Sequence, residues 1–384
     1  MTSSRNRPPF WRDVRVLAWA FQAAVAAIVV AILLWLVGNV RTNSEQLNIP
    51  TGFGYLDQPA SFPIPGSSFR TTQSVRDALM EGLLNTLRVA VAGLVLATVF
   101  GVLIGVARLS GNFILGNAAR VYVEVIRNVP LLGLLTLGYV AIALAVLPQI
   151  QDAIELGPIG VFSNRGSAVP WFTGNGWVLT LVILLAAFVG WAVARWRHRV
   201  ADRSGAPARS GLWAFGAAAV VIIVGWVVGG YAISTPDLEG RTVTGGISMS
   251  PEFFAVLLAL VVYTSSHIAE IVRGSIQAVD RGQGEAANAL ALSGFQRMWF
   301  VVLPQAMRIA IPPLGNQYFN LTKNSSLGAV ISYFEVTKVT RTSIANSAPA
   351  VPSFLLLLGI YLVLSLIISL FVNIANRSVA VVER

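Results

Sequence analysis

Few ionisable side chains in this chain fall inside apolar stretches, and those few are the first candidates for chemistry. A charge held away from water is costly, so it tends to face a cavity or a partner. Lys323 stands with Asn320, Asn324 and Ser325. An ammonium among amides and a hydroxyl could meet an α-carboxylate; the same residues also suit a bend after Pro312-Pro313 with Lys323 snorkelling outward. Glu270 is a further candidate for a substrate path, although Arg273 three residues on favours an i,i+3 pair. Glu124 and Arg127 share that spacing, and pairing is again the favoured reading. Asn85 and Thr86 suit either helix capping or path lining. His267 fits a packed, hydrogen-bonded side chain, and His198 lies in a basic stretch.

Catalytic constellations are thin. The chain has no cysteine, which excludes disulfides and thiolate metal sites, and no metal-ligand spacing occurs. A phosphate-cradling loop needs Lys after Gly, whereas Lys323 and Lys338, the two lysines, both follow Thr. The chain is therefore expected not to be an enzyme and to bind no cofactor or metal.

The elements that must position these residues are membrane spans. Hydrophobic residues make up 55% of the 384 and charged ones 11%, well below the roughly 25% charged of a soluble domain. The net charge of +10 comes almost wholly from arginine. The arginines sit at the ends of apolar runs rather than on one basic face, which points to membrane topology and away from nucleic acid.

Residues 16–40 follow Arg5, Arg7, Arg12 and Arg15 and form too long an apolar run for a signal peptide, so they are expected to anchor the chain with its N-terminus inside. Further spans are expected over about 83–107, from residue 131 to near 148, over 177–194, 211–232 and 251–270, through the Pro312-Pro313 region, and over 353–374. Gly93, Ala97, Gly101 and Gly105 recur every fourth residue, a stripe that lets a neighbouring helix approach closely. Arg195, Arg197, Arg199, Arg203 and Arg209 mark the inside after the fourth span, and Arg377 and Arg384 mark it again at the end. The prediction is an all-α, polytopic membrane protein with about eight spans and both termini cytoplasmic.

One polar segment, GQGEAANALALSGFQRMWFVVLPQA at residues 282–306, falls on the inside between two spans. Its alanines predict a short slim helix, with Gly282 and Gly284 loosening its start and Glu285 in its first turn, where a negative charge complements the helix dipole. Pro304 is expected to break it from the next span. Such a helix suits the groove of a partner protein; an amphipathic helix resting on lipid is the alternative.

EAANALALSGFQRMWFVVLP resembles the signature of binding-protein-dependent ABC importer permeases: Glu-Ala-Ala, three residues, Gly, nine residues, Ile, one residue, Leu-Pro. Glu285, Ala286, Ala287, Leu303 and Pro304 match; Ala291 stands at the Gly position and Val301 at the Ile position. Residues 85–145 and 253–375, with YVEVIRNVPLLGLL and LPQAMRIAIPPLGNQYFNLTKNSSLGAVIS, are similar to the polar amino acid branch. The chain's size resembles the larger permease of general L-amino acid or glutamate/glutamine/aspartate/asparagine importers.

The resemblance implies a type I importer-like core in residues 83–148 and 251–384, with a coupling loop at 282–304 that includes Ala291 and Gly294. Residues 1–82 would add an anchor and an outside loop, and 149–250 an inserted pair of spans. It also implies an ATP-binding cassette ATPase dimer carrying ATP and Mg, a second homologous permease, a periplasmic amino acid-binding protein, and location in a bacterial inner membrane. The rival is a secondary transporter driven by an ion gradient, whose usual hint is a pair of broken helices; one such region is visible.

Overall fold

The computed structural model describes residues 14–47, 50–174, 176–204, 210–240 and 242–379; Arg5, Arg7, Arg12, Arg209 and Arg384 lie outside them. Helix α1 (Val14–Gln46) runs unbroken. None of its membrane-length window is buried, the state of a helix that is apolar all round and faces lipid. Helix α2 (Val75–Ala107) starts at Val75 rather than near residue 83 because Ser74 and Asp77 form a capping box, each side chain accepting the other's backbone N–H at 3.2 Å. The loop before it is packed, with Phe62 and Ile64 buried against Val75 and Leu79.

Asn112 caps α3 (Phe113–Asn128), and α4 (Leu131–Gly138) departs from it at 102° before a π-helical turn over Tyr139–Val146. The span expected after residue 130 is thus the second arm of a bent pair. Pro130 lacks the N–H that would continue α3.

Residues 154–249 contain eight short strands that the all-α expectation missed. β1 (Ile154–Glu155), β2 (Val161–Ser163), β3 (Gly166–Val169), β4 (Trp171–Thr173), β5 (Ala232–Ser234), β6 (Asp237–Glu239), β7 (Thr242–Thr244) and β8 (Ile247–Met249) pair antiparallel, with β1-β2-β3-β8 as one sheet. Strands this short carry no readable alternation. Between β4 and β5, α5 (Gly176–Ser204) and α6 (Ser210–Val228) form a hairpin. α5 continues well past residue 194, so Arg195 and Arg199 extend from helix rather than loop; the Arg195 guanidinium lies 5.3 Å from the Trp191 ring centre.

Ser250 caps α7 (Pro251–Gln277) by accepting the Phe253 N–H at 3.2 Å. There follow α8 (Arg281–Ala289), α9 (Gly294–Arg297), α10 (Leu303–Asn324), a 3-10 stretch over Ser325–Ile331, α11 (Val336–Ala345) and α12 (Ala350–Val379). The main core joins α2, α4, α7 and α10 through Val89, Leu135, Leu260, Ile268 and Leu321.

Six described helices are long and apolar enough to cross a membrane, or seven with the bent pair, against the eight expected. The difference includes α10, which packs between α7 and α12. Arg308, Asn320 and Lys323, all at exposed positions, make α10 too polar to pass as a lipid-facing span. α10 also continues through Pro312 and Pro313, where a break was expected. Pro312 and Pro313 withhold two ladder bonds, a cost that neighbouring helices offset by packing.

Candidate functional site

Segment 281–306 is built from helix ends. Asp280 opens α8 by accepting the Gly282 N–H at 2.7 Å. Gly282 and Gly284 therefore lie inside the helix, and Glu285 falls beyond its first turn, because the cap sits earlier than composition suggests. α8 closes where Leu292 N–H reaches the Ala287 carbonyl at 3.1 Å and Ala291 N–H reaches the Asn288 carbonyl at 2.9 Å. This Schellman closure needs a left-handed residue, and Ala291 supplies it at φ +54°. Ser293 and Gln296 then make a second capping box that starts α9 at Gly294.

A π-turn over Met298–Val302 joins α9 to α10, so the chain is already helical at Leu303 and Pro304. The break expected at Pro304 lies instead at Leu290–Ser293. Pro304 occupies the first turn of α10, next to a widened ladder in which Leu303 N–H reaches back to the Met298 carbonyl, so its missing donor is tolerated.

Two side-chain links tie α8 to α10 and α9: Gln305 Nε2 donates to Gln283 Oε1 at 3.1 Å, and Arg297 donates to Asn288 Oδ1 at 3.0 Å. Ala287 is buried, while Glu285 and Ala286 face out. Leu290 and Phe295 are each 75% exposed, and the Phe295 ring stacks on Trp299 at 6.2 Å. The result is a slim helix braced on α10 with an apolar rim.

The other expected site residues are dispersed. Ser325 is buried and donates to the Thr322 carbonyl at 2.7 Å, whereas Asn320 and Lys323 share an exposed face and Asn324 is half-buried. Glu270 accepts from Arg273 of its own helix and from Arg108 just past the end of α2, tying α2 to α7. Glu124 and Arg127 are both exposed and form no ion pair with each other among the described residues; on an open surface the pairing expected from their spacing gains little. His267 hydrogen-bonds the Tyr263 carbonyl at 3.0 Å and lies tilted against its ring, the ring centres 4.6 Å apart.

Asn85 and Thr86 lie inside α2 and brace the far end of the molecule. Asn85 donates to the Phe334 carbonyl at 3.0 Å, and Thr86 Oγ1 accepts the Val336 N–H at 3.1 Å, so Thr86 caps α11 rather than α2. Beside it Glu335, fully buried, accepts the N–H groups of Thr337 and Lys338, both at 2.8 Å, and the Tyr361 hydroxyl at 3.2 Å. Burial pushes the Glu335 carboxyl up to about 7, against the lowering effect of those hydrogen bonds.

A cavity of about 820 Å³ opens at the same end, between the four-stranded sheet and the helical core, with Arg88, Arg165, Glu252 and Ser332 in its wall. A family model described as the binding-protein-dependent transport system inner membrane component matches residues 97–381, which take in the last third of α2 and every element from α3 to α12. The chain belongs to this family. Similar proteins include the general L-amino acid transport system permease protein AapQ of Rhizobium johnstonii, 39% identical over 95% of this chain and 92% of that one. YhdX of Escherichia coli K12 is 36% identical over 96% and 95%. The glutamate/glutamine/aspartate/asparagine transport system permease protein BztB of Rhodobacter capsulatus is 33% identical over 97% and 96%.

For this inner-membrane permease, sequence reading missed Arg108, Glu335 and the cavity wall. Arg108 lies 162 residues from Glu270, and Thr86 lies 250 from Val336. No local spacing carries such pairings.

Proposed function

We propose that the chain is the membrane-spanning permease subunit of an ATP-driven importer of L-amino acids. A separate ATPase dimer, carrying ATP and Mg, docks on α8. A second homologous permease completes the membrane path, and an external binding protein delivers substrate to the face opposite α8. Both termini lie in the cytoplasm, in keeping with the arginines at the ends of the spans. The amino acid class rests on the permeases to which the chain is similar over nearly its whole length.

The observation that carries the coupling role is the bracing of α8. A segment that transmits a partner's movement must move as one piece with a core helix; the Gln305–Gln283 link ties α8 to α10, and the Arg297–Asn288 link ties it to α9. Glu285 and Ala286 point away from the core, and Leu290, Phe295 and Trp299 offer the apolar contact that seats a helix in a groove. ATP binding then biases two discrete arrangements of the core, which is what alternating access requires.

Purification of the tagged chain from its native membranes tests this reading. A P-loop ATPase and a second permease should accompany it, with ATPase activity stimulated by substrate-loaded binding protein. Glu285→Ala should weaken that stimulation by about tenfold, the loss of one charge-assisted contact at an interface. A chain that purifies alone, and whose uptake follows an ionophore-sensitive gradient, would replace this reading with the gradient-driven carrier.

A further inference from the structure

The cavity beneath the four-stranded sheet lies at the opposite end of the core from α8. α7 starts in the cavity wall at Pro251 and Glu252 and runs 27 residues to Gln277, close to the start of α8. At about 1.5 Å per residue that is roughly 40 Å, the thickness of a bilayer with its headgroups. If α8 faces the ATPase, the cavity faces the side from which substrate arrives.

Its wall carries three charges, of which two are uncompensated by an opposite charge. Arg88 is neutralised, since its guanidinium contacts Glu81 at 3.2 Å and Asn85 Oδ1 at 2.7 Å. Arg165 is exposed, and its guanidinium has no carboxylate partner among the described residues. Glu252 is half-buried and accepts the Tyr139 hydroxyl on Oε1 at 3.1 Å, with no cation paired to it among the described residues. A cationic fork and a carboxylate therefore stand unneutralised in one molecule-sized chamber.

The fold holds these two groups together. Arg165 sits on the turn between β2 and β3, fixed by the Ser163 hydroxyl donating to the Gly166 carbonyl at 3.0 Å. Gly166, at φ +144°, lies so close to β8 that a Cβ there would come within 2.8 Å of the Met249 carbonyl oxygen. The β3–β8 register pairs Ser167 with Met249. Arg165, two residues before Ser167, and Glu252, three residues after Met249, thus both fall at the end of this ladder, in the cavity wall.

A site for an anion alone would not keep a free carboxylate, and a site for a cation alone would not keep a free guanidinium. The α-amino acid backbone carries both charges, a carboxylate that a guanidinium binds and an ammonium that a carboxylate binds, each through charge-assisted hydrogen bonds. We propose that this cavity is a receiving site for the zwitterionic backbone of a free α-amino acid, with Arg165 binding the α-carboxylate and Glu252 the α-ammonium. The site reads the backbone and leaves the side chain in the rest of the chamber, which suits a broad range of amino acids. This inference rests on the proposed importer function.

Equilibrium binding of a radiolabelled mixture of the common L-amino acids to the detergent-purified complex, free of the external binding protein, tests it. Arg165→Gln and Glu252→Gln should each raise the half-saturating concentration about tenfold, as expected for loss of one charge-assisted bond. An aliphatic primary amine, lacking the carboxylate, should compete equally weakly with wild type and with Arg165→Gln. Arg165→Lys, which keeps the charge but not the fork, should fall between wild type and Arg165→Gln, a gradation that misfolding would not produce. Unchanged binding in both glutamine variants, or no saturable binding by wild type, would overturn the site. Uptake by intact cells separates the two readings: normal ATP-dependent uptake with unchanged binding in the variants sinks the cavity site alone, whereas absence of amino acid uptake by the wild-type complex sinks the importer reading.

Discussion

Replacement of Gly101 by alanine should destabilise the permease, and the reason can be worked from the contact between α2 and α7. A Cβ at Gly101 would lie 2.5 Å from Ile268 Cγ2, 2.6 Å from Ile268 Cβ and 3.1 Å from the Ser265 carbonyl oxygen. Carbon atoms pack at about 3.5–4.0 Å, so the deficit is about 1 Å. Ile268 is fully buried and β-branched, with little rotamer freedom, and its own Cβ is one of the clashing atoms, so only a shift of backbone relieves the contact. Such overpacking costs about 1–3 kcal/mol, against a gain of about 1 kcal/mol when alanine replaces glycine in a helix. The expected net loss is up to about 2 kcal/mol. Gly93→Ala meets Leu321 Cδ2 at 3.2 Å, the far end of a flexible side chain, and should be nearly neutral. Gly359→Ala on α12 meets nothing within 4 Å and should stabilise slightly. Tryptophan fluorescence during thermal unfolding in one detergent should rank Gly359→Ala at or above wild type, then Gly93→Ala, then Gly101→Ala. A Gly101→Ala variant as stable as wild type would refute the close approach of the two helices.

Two further outcomes rest on single residues. Ala291→Gly removes a left-handed alanine, a conformation that costs an L-residue about 1–2 kcal/mol, offset in part by the greater freedom of glycine in the unfolded chain; the melting temperature should rise by a few degrees, with the helical content of the segment unchanged by circular dichroism. Glu335 has a folded-state carboxyl raised to about 7 by burial, so between the ordinary carboxylate range and about pH 7 the folded protein holds a proton that the unfolded chain has released. Its contribution to stability is full below the ordinary carboxylate range and is lost as pH rises through about 7. The upper limit is about 3 kcal/mol, at 1.36 kcal/mol per pH unit. Wild type should therefore lose melting temperature between about pH 5 and pH 8 relative to Glu335→Gln; parallel curves for the two proteins would show that the Glu335 carboxyl is not raised.

Much of the membrane part was legible because it depends on local chemistry. Long apolar runs with arginine at their ends must become helices that cross a bilayer, since the hydrocarbon leaves no other way to satisfy the backbone. The start of a span at Pro251 is legible from the end of the polar loop before it, and the structure begins α7 there. The small-residue repeat from Gly93 to Gly105 likewise states that something approaches α2 closely.

The identity of that neighbour was not written locally. Gly93 meets Leu321 of α10, while Gly101 and Gly105 meet Ile268 and Val272 of α7. The choice depends on how far α2 rotates between two neighbours. The capping of α11 by Thr86, the Arg108–Glu270 pair and the chamber between Arg165 and Glu252 each join residues far apart in the chain.

The sequence by itself determined that this chain is a helical membrane protein with a short polar helix on one side, because hydrophobic length, helix propensity and positive charge act within a few residues. Only the tertiary structure decided which charges meet, where Ala291 and Pro304 fall in the turn, and that the short strands wall a cavity at one end of the core. Those outcomes are fixed by packing and register between distant segments, which no window of the sequence contains.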